Sequence, residues 1–164
     1  DPKLTVRYAK GENPQPVVMD SHLRIPPDAY LLREHPVRPL IIAADPPDEG
    51  RKKILEKAGA RIAAAPAAGN GYLDLKAVLH LLYDRGLRSV MVEGGARIIA
   101  SFIAEKLVDH IIITVAPILI GGVPVFERNS GSGRIPLPKL QNMHHRQMGR
   151  DIVVQGNPVW DRSV

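Results

Sequence analysis

The stretch SVMVEGGARII at residues 89–99 joins a short apolar run, an acidic residue, two glycines and the start of a helical pattern. This order predicts a strand at residues 90–92, a tight turn, and a helix that begins directly after Gly95. Such a turn places free backbone N–H groups at the first turn of a helix, where the helix dipole favours an anion such as phosphate. Gly94 and Gly95 lack a Cβ, so a ligand can approach the main chain closely. Glu93 stands at the carboxyl end of the predicted strand, the edge at which open α/β sheets bind ligands.

This turn also has a purely structural interpretation. Glycine pairs occur in strand–helix turns that serve the fold alone, and the pattern is shorter than the dinucleotide fingerprint G-x-G-x-x-G.

Two residues nearer the N-terminus suit an anionic ligand as well. The guanidinium of Arg7 is suited to bidentate binding of phosphate or carboxylate, and the Ser21 hydroxyl, at the end of a predicted strand, is suited to donating to a phosphate. The alternatives without a ligand are that Arg7 is an ordinary exposed surface residue and that the Ser21 hydroxyl caps a turn.

Outward from this stretch, strands and helices alternate along the chain. The predicted strands cover residues 17–20, 40–44, 61–65, 90–92 and 110–115, the last as the longest strand of the chain. The predicted helices cover residues 48–58, with Ile54, Leu55 and Ala58 on one side, 75–85, with Asp74 as N-cap, and 96–106. A hairpin of residues 146–148 and 151–156 closes the chain. This order predicts an α/β fold, mostly parallel and flanked by helices, with antiparallel strands at the C-terminal edge.

Composition limits the classes of function. The chain has 164 residues, enough for one domain, with 45% hydrophobic and 24% charged residues. It contains no cysteine, which excludes disulfides and thiolate metal sites and is compatible with a reducing compartment, so we expect a cytoplasmic location. The histidines show no metal-ligand spacing, and we predict no metal site. No apolar run approaches the length of a membrane span.

The net charge of +5 suits an anionic partner, although lysines and arginines on solvated faces explain it equally well. Nucleic acid is a poor match, because aromatic residues make up only 4% of the chain and no dense basic run is present. The basic tail around His145, Arg146 and Arg150 is the one segment that would serve such a partner.

Five segments together resemble the riboflavin-biosynthesis reductase family, which comprises the C-terminal domain of the bifunctional bacterial deaminase–reductase and the stand-alone reductase of fungi and archaea. In chain order they read DPxLTVR at residues 1–7, VVMDS at 17–21 with Arg24, VEGGA at 92–96, LVD at 107–109 and APILIGG at 116–122. The resemblance extends over nearly the whole chain. It implies a dihydrofolate-reductase-like α/β fold and a homodimer.

The resemblance also implies an activity: reduction by NADPH of the ribosylamino group of a pyrimidine 5′-phosphate to a ribitylamino group. It implies that Glu93 contacts the substrate, that Leu4 and Arg7 line its ribose-phosphate end, and that Ser21 lies near the cofactor. The residues that it implies for the NADPH phosphates are Gly94, Gly95, Ala96, Arg97 and Ile98. A non-catalytic module of the same fold that holds a phosphorylated ligand is the alternative.

Two further expectations concern assembly and extent. We expect the apolar strand at residues 111–115 and the loop at 121–133 to form the homodimer contact. Members of the family carry a strand, a helix and a Gly-Thr-Val type turn ahead of the Asp-Pro segment, whereas this sequence begins within that motif. We therefore expect one reductase-like domain that lacks its N-terminal strand and helix, either because a longer chain exists or because the chain is a truncated relative.

Overall fold

The computed structural model describes residues 2–69, 71–119 and 137–160. The chain divides into two compact units, Asp1–Arg88 and Ser89–Val164. Within the described ranges, no helix combines the length and the apolar character that crossing a membrane requires. The expected loop contact at residues 121–133 lies outside the described residues.

A parallel three-stranded sheet forms the centre of the first unit. Its strands are β1 (Val17–Met19), β2 (Leu40–Ala44) and β3 (Arg61–Ala65), in the order β1-β2-β3. The helices of this unit are α1 (Tyr30–Arg33), α2 (Glu49–Lys57) and α3 (Leu75–Asp84). Four of the five residues of β2 are buried, as expected of an apolar strand with both faces covered.

Alternate residues of β2 supply two separate hydrophobic cores. Leu40 and Ile42 belong to one cluster, which includes Val78 and Leu82 of α3. Ile41 belongs to the other, together with Leu55 of α2, Leu23, Leu32, Ala43 and Ala60. This division follows from the period of two residues by which a strand directs its side chains to opposite faces.

The predicted helices of the first unit are confirmed with small changes at their ends. Asp48 caps α2 through the N–H of Arg51 at 2.8 Å, and Asp74 caps α3 through the N–H groups of Lys76 and Ala77. Helix α3 ends at Asp84, one residue earlier than predicted. Of the residues predicted to share one side of α2, Leu55 is fully buried, whereas the Ile54 side chain is 47% exposed.

The second unit contains a helix and an antiparallel sheet. Helix α4 spans Ala96–Ala104, and the strands β4 (Ile111–Val115), β5 (Lys139–Met148) and β6 (Asp151–Val159) pair in the order β4-β6-β5. The predicted hairpin is confirmed, and it extends further than predicted on the N-terminal side of β5 and the C-terminal side of β6. The mixed α/β class, parallel first and antiparallel last, is therefore confirmed, with the described strands in two separate sheets.

Three predictions about the second unit are wrong. Residues 90–92 form no strand, because a strand needs a hydrogen-bonding neighbour and no described strand pairs with them. Strand β4 begins at Ile111 and, at 5 residues, is shorter than the 10 residues of β5, since the extended hairpin lengthens β5 and β6 together. Helix α4 ends at Ala104, and Lys106 adopts a left-handed conformation with φ 57° that cannot continue the helix.

Candidate functional site

The first turn of α4 has uncapped backbone N–H groups. Gly95 is the N-cap residue, with φ −67° and ψ 162°, and no described side chain caps the helix. The Gly95 carbonyl oxygen accepts from the N–H groups of Ile98 at 3.2 Å and Ile99 at 3.5 Å. The N–H groups that precede these have no intrahelical partner, because an α-helix leaves its first donors free. They are therefore available to a ligand, and the positive end of the helix dipole favours an anion there.

An open depression of about 420 Å³ lies against this turn and is lined by residues 95–98. An ideal Cβ built on Gly95 meets nothing within 4 Å, so the space in front of this residue is open. Gly94 differs, because a Cβ there would lie 2.6 Å from Cγ2 of Ile98. The two glycines therefore differ: a side chain at Gly94 would collide with Ile98, whereas a side chain at Gly95 would meet no protein atom. This arrangement fits a phosphate group bound by main-chain donors.

Two charged side chains stand beside the turn. Glu93 and Arg97 are both exposed, one on each side of the glycine pair. The expectation that Glu93 ends a strand is wrong, because residues 90–92 are unpaired and the residue stands on an irregular segment. Its carboxylate is free to accept hydrogen bonds from a polar ligand, whereas Arg97 adds positive charge at the depression it lines.

Ser21 lies two residues after the end of β1, at the carboxyl end of the parallel sheet. It is half-buried, and its carbonyl oxygen accepts from the N–H of Ala44 at 3.1 Å. The preceding residue, Asp20, is buried, and its Oδ2 accepts from the N–H of Ile25 at 2.7 Å. The turn that carries Ser21 is therefore anchored to β2 through the Ser21 carbonyl oxygen, and the hydrogen bond from Ile25 to Asp20 closes it.

Leu4 and Arg7 belong to the irregular segment at the start of the first unit. Leu4 is half-buried with φ 48°, and its carbonyl oxygen lies 3.1 Å from Nε2 of His35. The N–H of Val37 lies 3.0 Å from Nδ1 of the same ring. Nδ1 also lies 2.7 Å from the carbonyl oxygen of Val37, so the ring contacts Leu4 through one nitrogen and Val37 through the other. Arg7 is exposed.

The predicted site residues divide between the two units. Residues 93–98 belong to the second unit, where residues 95–98 line the depression, whereas Leu4, Arg7 and Ser21 belong to the first unit. Sequence patterns missed two residues that hold these predicted positions, His35 behind Leu4 and Arg51 behind the turn after β1. Both side chains contact backbone carbonyl oxygens of residues distant in the sequence, and no residue spacing predicts such contacts.

The fold and the turn define a mixed α/β protein in which a helix begins with uncapped main-chain donors. The chain belongs to the RibD C-terminal domain family, whose model matches residues 1–154. It is similar to the 2,5-diamino-6-ribosylamino-4(3H)-pyrimidinone 5′-phosphate reductase of Aquifex aeolicus, with 33% identity over 148 residues that cover 90% of this chain and 63% of that protein. It is also similar to the protein of the same name from Archaeoglobus fulgidus, with 34% identity over 132 residues, 74% of this chain and 58% of that one. The chain thus spans less than two thirds of the length of these two relatives.

A solved structure shows the same fold. The riboflavin biosynthesis reductase Rib7 of Saccharomyces cerevisiae superposes with a TM-score of 0.72 at 20% identity, covering 96% of this chain and 69% of that one.

Proposed function

We propose that this protein is an oxidoreductase of riboflavin biosynthesis, which uses NADPH to reduce the ribosylamino group of a pyrimidine 5′-phosphate to a ribitylamino group. The relatives' names describe a reductase that acts on such a phosphate. The observation in the structure that carries the proposal is the clear space at Gly95, in front of uncapped main-chain donors. That space suits the phosphates of a dinucleotide, which residues 94–98 would hold.

The remaining roles follow the chemistry of the side chains. Nicotinamide, when bound, would supply a hydride to C1′ of the ring-opened imine, and the nitrogen would take up a proton from water or from another group. Glu93 accepts hydrogen bonds from the substrate through its exposed carboxylate. Arg7 pairs with the substrate phosphate, Leu4 lines the same end of the substrate, and Ser21 contacts the cofactor.

Gly95→Ala tests the phosphate site. The added methyl has no protein neighbour within 4 Å and φ −67° suits alanine, so the fold should not change. The methyl does enter the space in which we propose that a phosphate binds. We expect NADPH affinity, measured by fluorescence titration, to fall at least about tenfold, as loss of one charge-assisted hydrogen bond would produce.

Gly69→Ala is the matched control, because a Cβ at that exposed glycine also meets nothing within 4 Å. It should leave the NADPH affinity unchanged. Equal affinities for the wild type and Gly95→Ala would refute the phosphate site.

Glu93→Gln separates an enzyme from a module that only holds a phosphorylated ligand. The amide keeps the size of the side chain and removes its charge. An enzyme should lose turnover of the ribosylaminopyrimidine phosphate while it retains NADPH binding. A wild-type protein that binds NADPH but never oxidises it with this substrate would favour the module.

We also propose that the protein is a homodimer with β4 in the contact. Ile112, Ile113 and Val115 are 54%, 45% and 51% exposed, and a contiguous apolar strand of this kind favours association. Light scattering should give twice the mass of the chain at micromolar concentration. A monomer under these conditions would refute the proposal.

A further inference from the structure

We infer that a cavity at the amino end of the parallel sheet is a second ligand site, and that it binds a small organic phosphate, a phosphate monoester with an apolar body. The cavity has a volume of about 370 Å³ and lies entirely within the first unit. This volume falls within the range of small-molecule pockets in proteins. The residues that line it are Gln15, Leu40, Arg61, Ile62, Arg85 and Leu87.

The position of the cavity separates it from the residues assigned to the proposed reaction. Leu40 and Arg61 are the first residues of β2 and β3, and they are register partners in the parallel pairing. Ser21 lies at the opposite end of the sheet, because its carbonyl oxygen accepts from the N–H of Ala44, the last residue of β2. At about 3.3 Å per residue, Leu40 and Ala44 are about 13 Å apart along the strand. The cavity and the turn that carries Ser21 are therefore at opposite ends of the sheet.

The apolar part of the lining is continuous with the core of the first unit. Leu40 is buried and Leu87 is half-buried, and both pack in the hydrophobic cluster that joins β2 to α3. Arg61 stands on the same face of the sheet as Leu40, because register partners on neighbouring strands direct their side chains to the same side. A ligand in the cavity thus meets carbon atoms and a guanidinium together, a combination that suits an anion with an apolar body.

A chain of hydrogen bonds holds the Arg61 side chain in place. Its Nη2 donates to Oε1 of Gln15, and Nε2 of Gln15 donates to the carbonyl oxygens of Pro16 at 2.9 Å and Arg38 at 3.0 Å. Among the described residues only Nη2 of the Arg61 guanidinium has partners, so Nε and Nη1 are available to a ligand. A guanidinium that is already positioned loses little entropy when it binds an anion.

Arg85 supplies a second guanidinium to the cavity. It is exposed at the C-terminal end of α3, and its Nη1 makes only a long contact of 3.4 Å with the carbonyl oxygen of Leu81. Within the described ranges neither Arg61 nor Arg85 forms an ion pair, and the described residues that line the cavity include no acidic residue. A phosphate monoester carries close to two negative charges at neutral pH, and guanidinium groups bind phosphate through parallel hydrogen bonds. Two unpaired guanidinium groups therefore favour a phosphate monoester over a carboxylate.

The test follows the backbone amide resonances of the whole chain by NMR while phenyl phosphate is added. We expect the amides of Leu40, Ile62 and Leu87 to shift in the wild type. Arg85→Ala should raise the dissociation constant read from these shifts about tenfold, as loss of one charge-assisted hydrogen bond would produce. The fold should not change, because Arg85 is exposed and makes only the one long contact.

Arg88→Ala is the matched control. It removes the same charge close to Arg85, but Arg88 does not line the cavity, and its guanidinium lies 3.9 Å from the centre of the Tyr83 ring. It should leave the dissociation constant of phenyl phosphate unchanged. Equal weakening in Arg85→Ala and Arg88→Ala would indicate general attraction to a basic surface and would overturn the inference.

Two further ligands separate the contributions of charge and apolar surface. Inorganic phosphate lacks the apolar body, and benzoate has an aromatic body but only one negative charge. We expect both to bind more weakly than phenyl phosphate at the same residues. If inorganic phosphate binds as tightly, the cavity holds an adventitious ion only and the inference is overturned. If benzoate binds as tightly, the assignment to phosphate monoesters is overturned.

The location of the shifts keeps this inference distinct from the proposed function. A wild type without shifts at Leu40, Ile62 and Leu87 overturns the inference. Shifts confined to residues 95–98 would place phenyl phosphate at the helix start, which overturns the inference and leaves the proposed function standing. The proposed function is tested by NADPH binding and turnover, and neither depends on the cavity at the amino end of the sheet.

Discussion

Cγ2 of Ile98 occupies the space that a side chain on Gly94 would need, since an ideal Cβ there would lie 2.6 Å away. Isoleucine is β-branched and stiff, so Ile98 cannot retreat without disturbing the first turn of α4. We expect Gly94→Ala to lower the free energy of unfolding by about 1–3 kcal/mol, the range for overpacking. Urea denaturation followed by circular dichroism measures this.

The control for this prediction is a double variant. Ile98→Ala removes the clashing atom, so Gly94→Ala should cost much less in the Ile98→Ala background than in the wild type. If the losses of unfolding free energy for Gly94→Ala and Ile98→Ala simply add in the double variant, the steric explanation is contradicted.

Gly59 ends α2 in a conformation that favours glycine. Its φ is 109°, and an ideal Cβ would lie 2.9 Å from the carbonyl oxygen of Leu32, a backbone atom within the core of the first unit. We expect Gly59→Ala to reduce the free energy of unfolding by about 1–3 kcal/mol, because backbone strain and the clash combine. The comparison is Gly69→Ala in thermal unfolding. If the two variants melt at the same temperature, the close approach to Leu32 has no energetic consequence.

The elements that could be predicted from the sequence are those fixed by local chemistry. Strand β2 is a continuous apolar run, and the caps Asp48 and Asp74 signal where α2 and α3 begin. Residues 90–92 have the same apolar character as β2, yet they remain unpaired. Pairing depends on what lies beside a segment in space, and apolar composition alone carries no information about that neighbour.

The same distinction applies to the candidate site. The glycine turn could be predicted because its donors, its lack of Cβ atoms and its helix lie within a few consecutive residues. Arg51 could not, because it donates to carbonyl oxygens of Leu23 and Ile25, 28 and 26 residues away along the chain. Every residue has a carbonyl oxygen, so the sequence does not mark which ones an arginine will reach.

Asp74 caps α3 with one carboxylate oxygen, which accepts from Lys76 at 2.9 Å and Ala77 at 3.0 Å. Removing it leaves two N–H groups without that partner, so Asp74→Ala should cost about 1 kcal/mol of stability. Asp84 is the matched control, since it is an exposed aspartate at the opposite end of the same helix, where the dipole disfavours negative charge. Asp84→Ala should be neutral or slightly stabilising in urea denaturation. Equal losses for the two variants would show that the cap contributes nothing specific.

His35 joins the segment that carries Leu4 and Arg7 to the rest of the first unit, through Leu4 at 3.1 Å and Val37 at 3.0 Å. Each neutral hydrogen bond contributes about 0.5–1.5 kcal/mol, so His35→Ala should loosen the segment without unfolding the unit. Amide exchange at residues 3–7 and at Val37, measured by mass spectrometry, should accelerate about tenfold.

Amide exchange elsewhere in the chain should not change in His35→Ala. The control variant His80→Ala, which alters an exposed histidine on α3, should leave amide exchange unchanged at residues 3–7 and at Val37. In the proposed reaction the KM for the phosphorylated substrate should rise while the dissociation constant of NADPH stays constant, because Leu4 and Arg7 are assigned to the substrate alone. A change in NADPH binding with an unchanged KM would reverse that assignment. Unchanged exchange at residues 3–7 would show that the segment is held by other contacts.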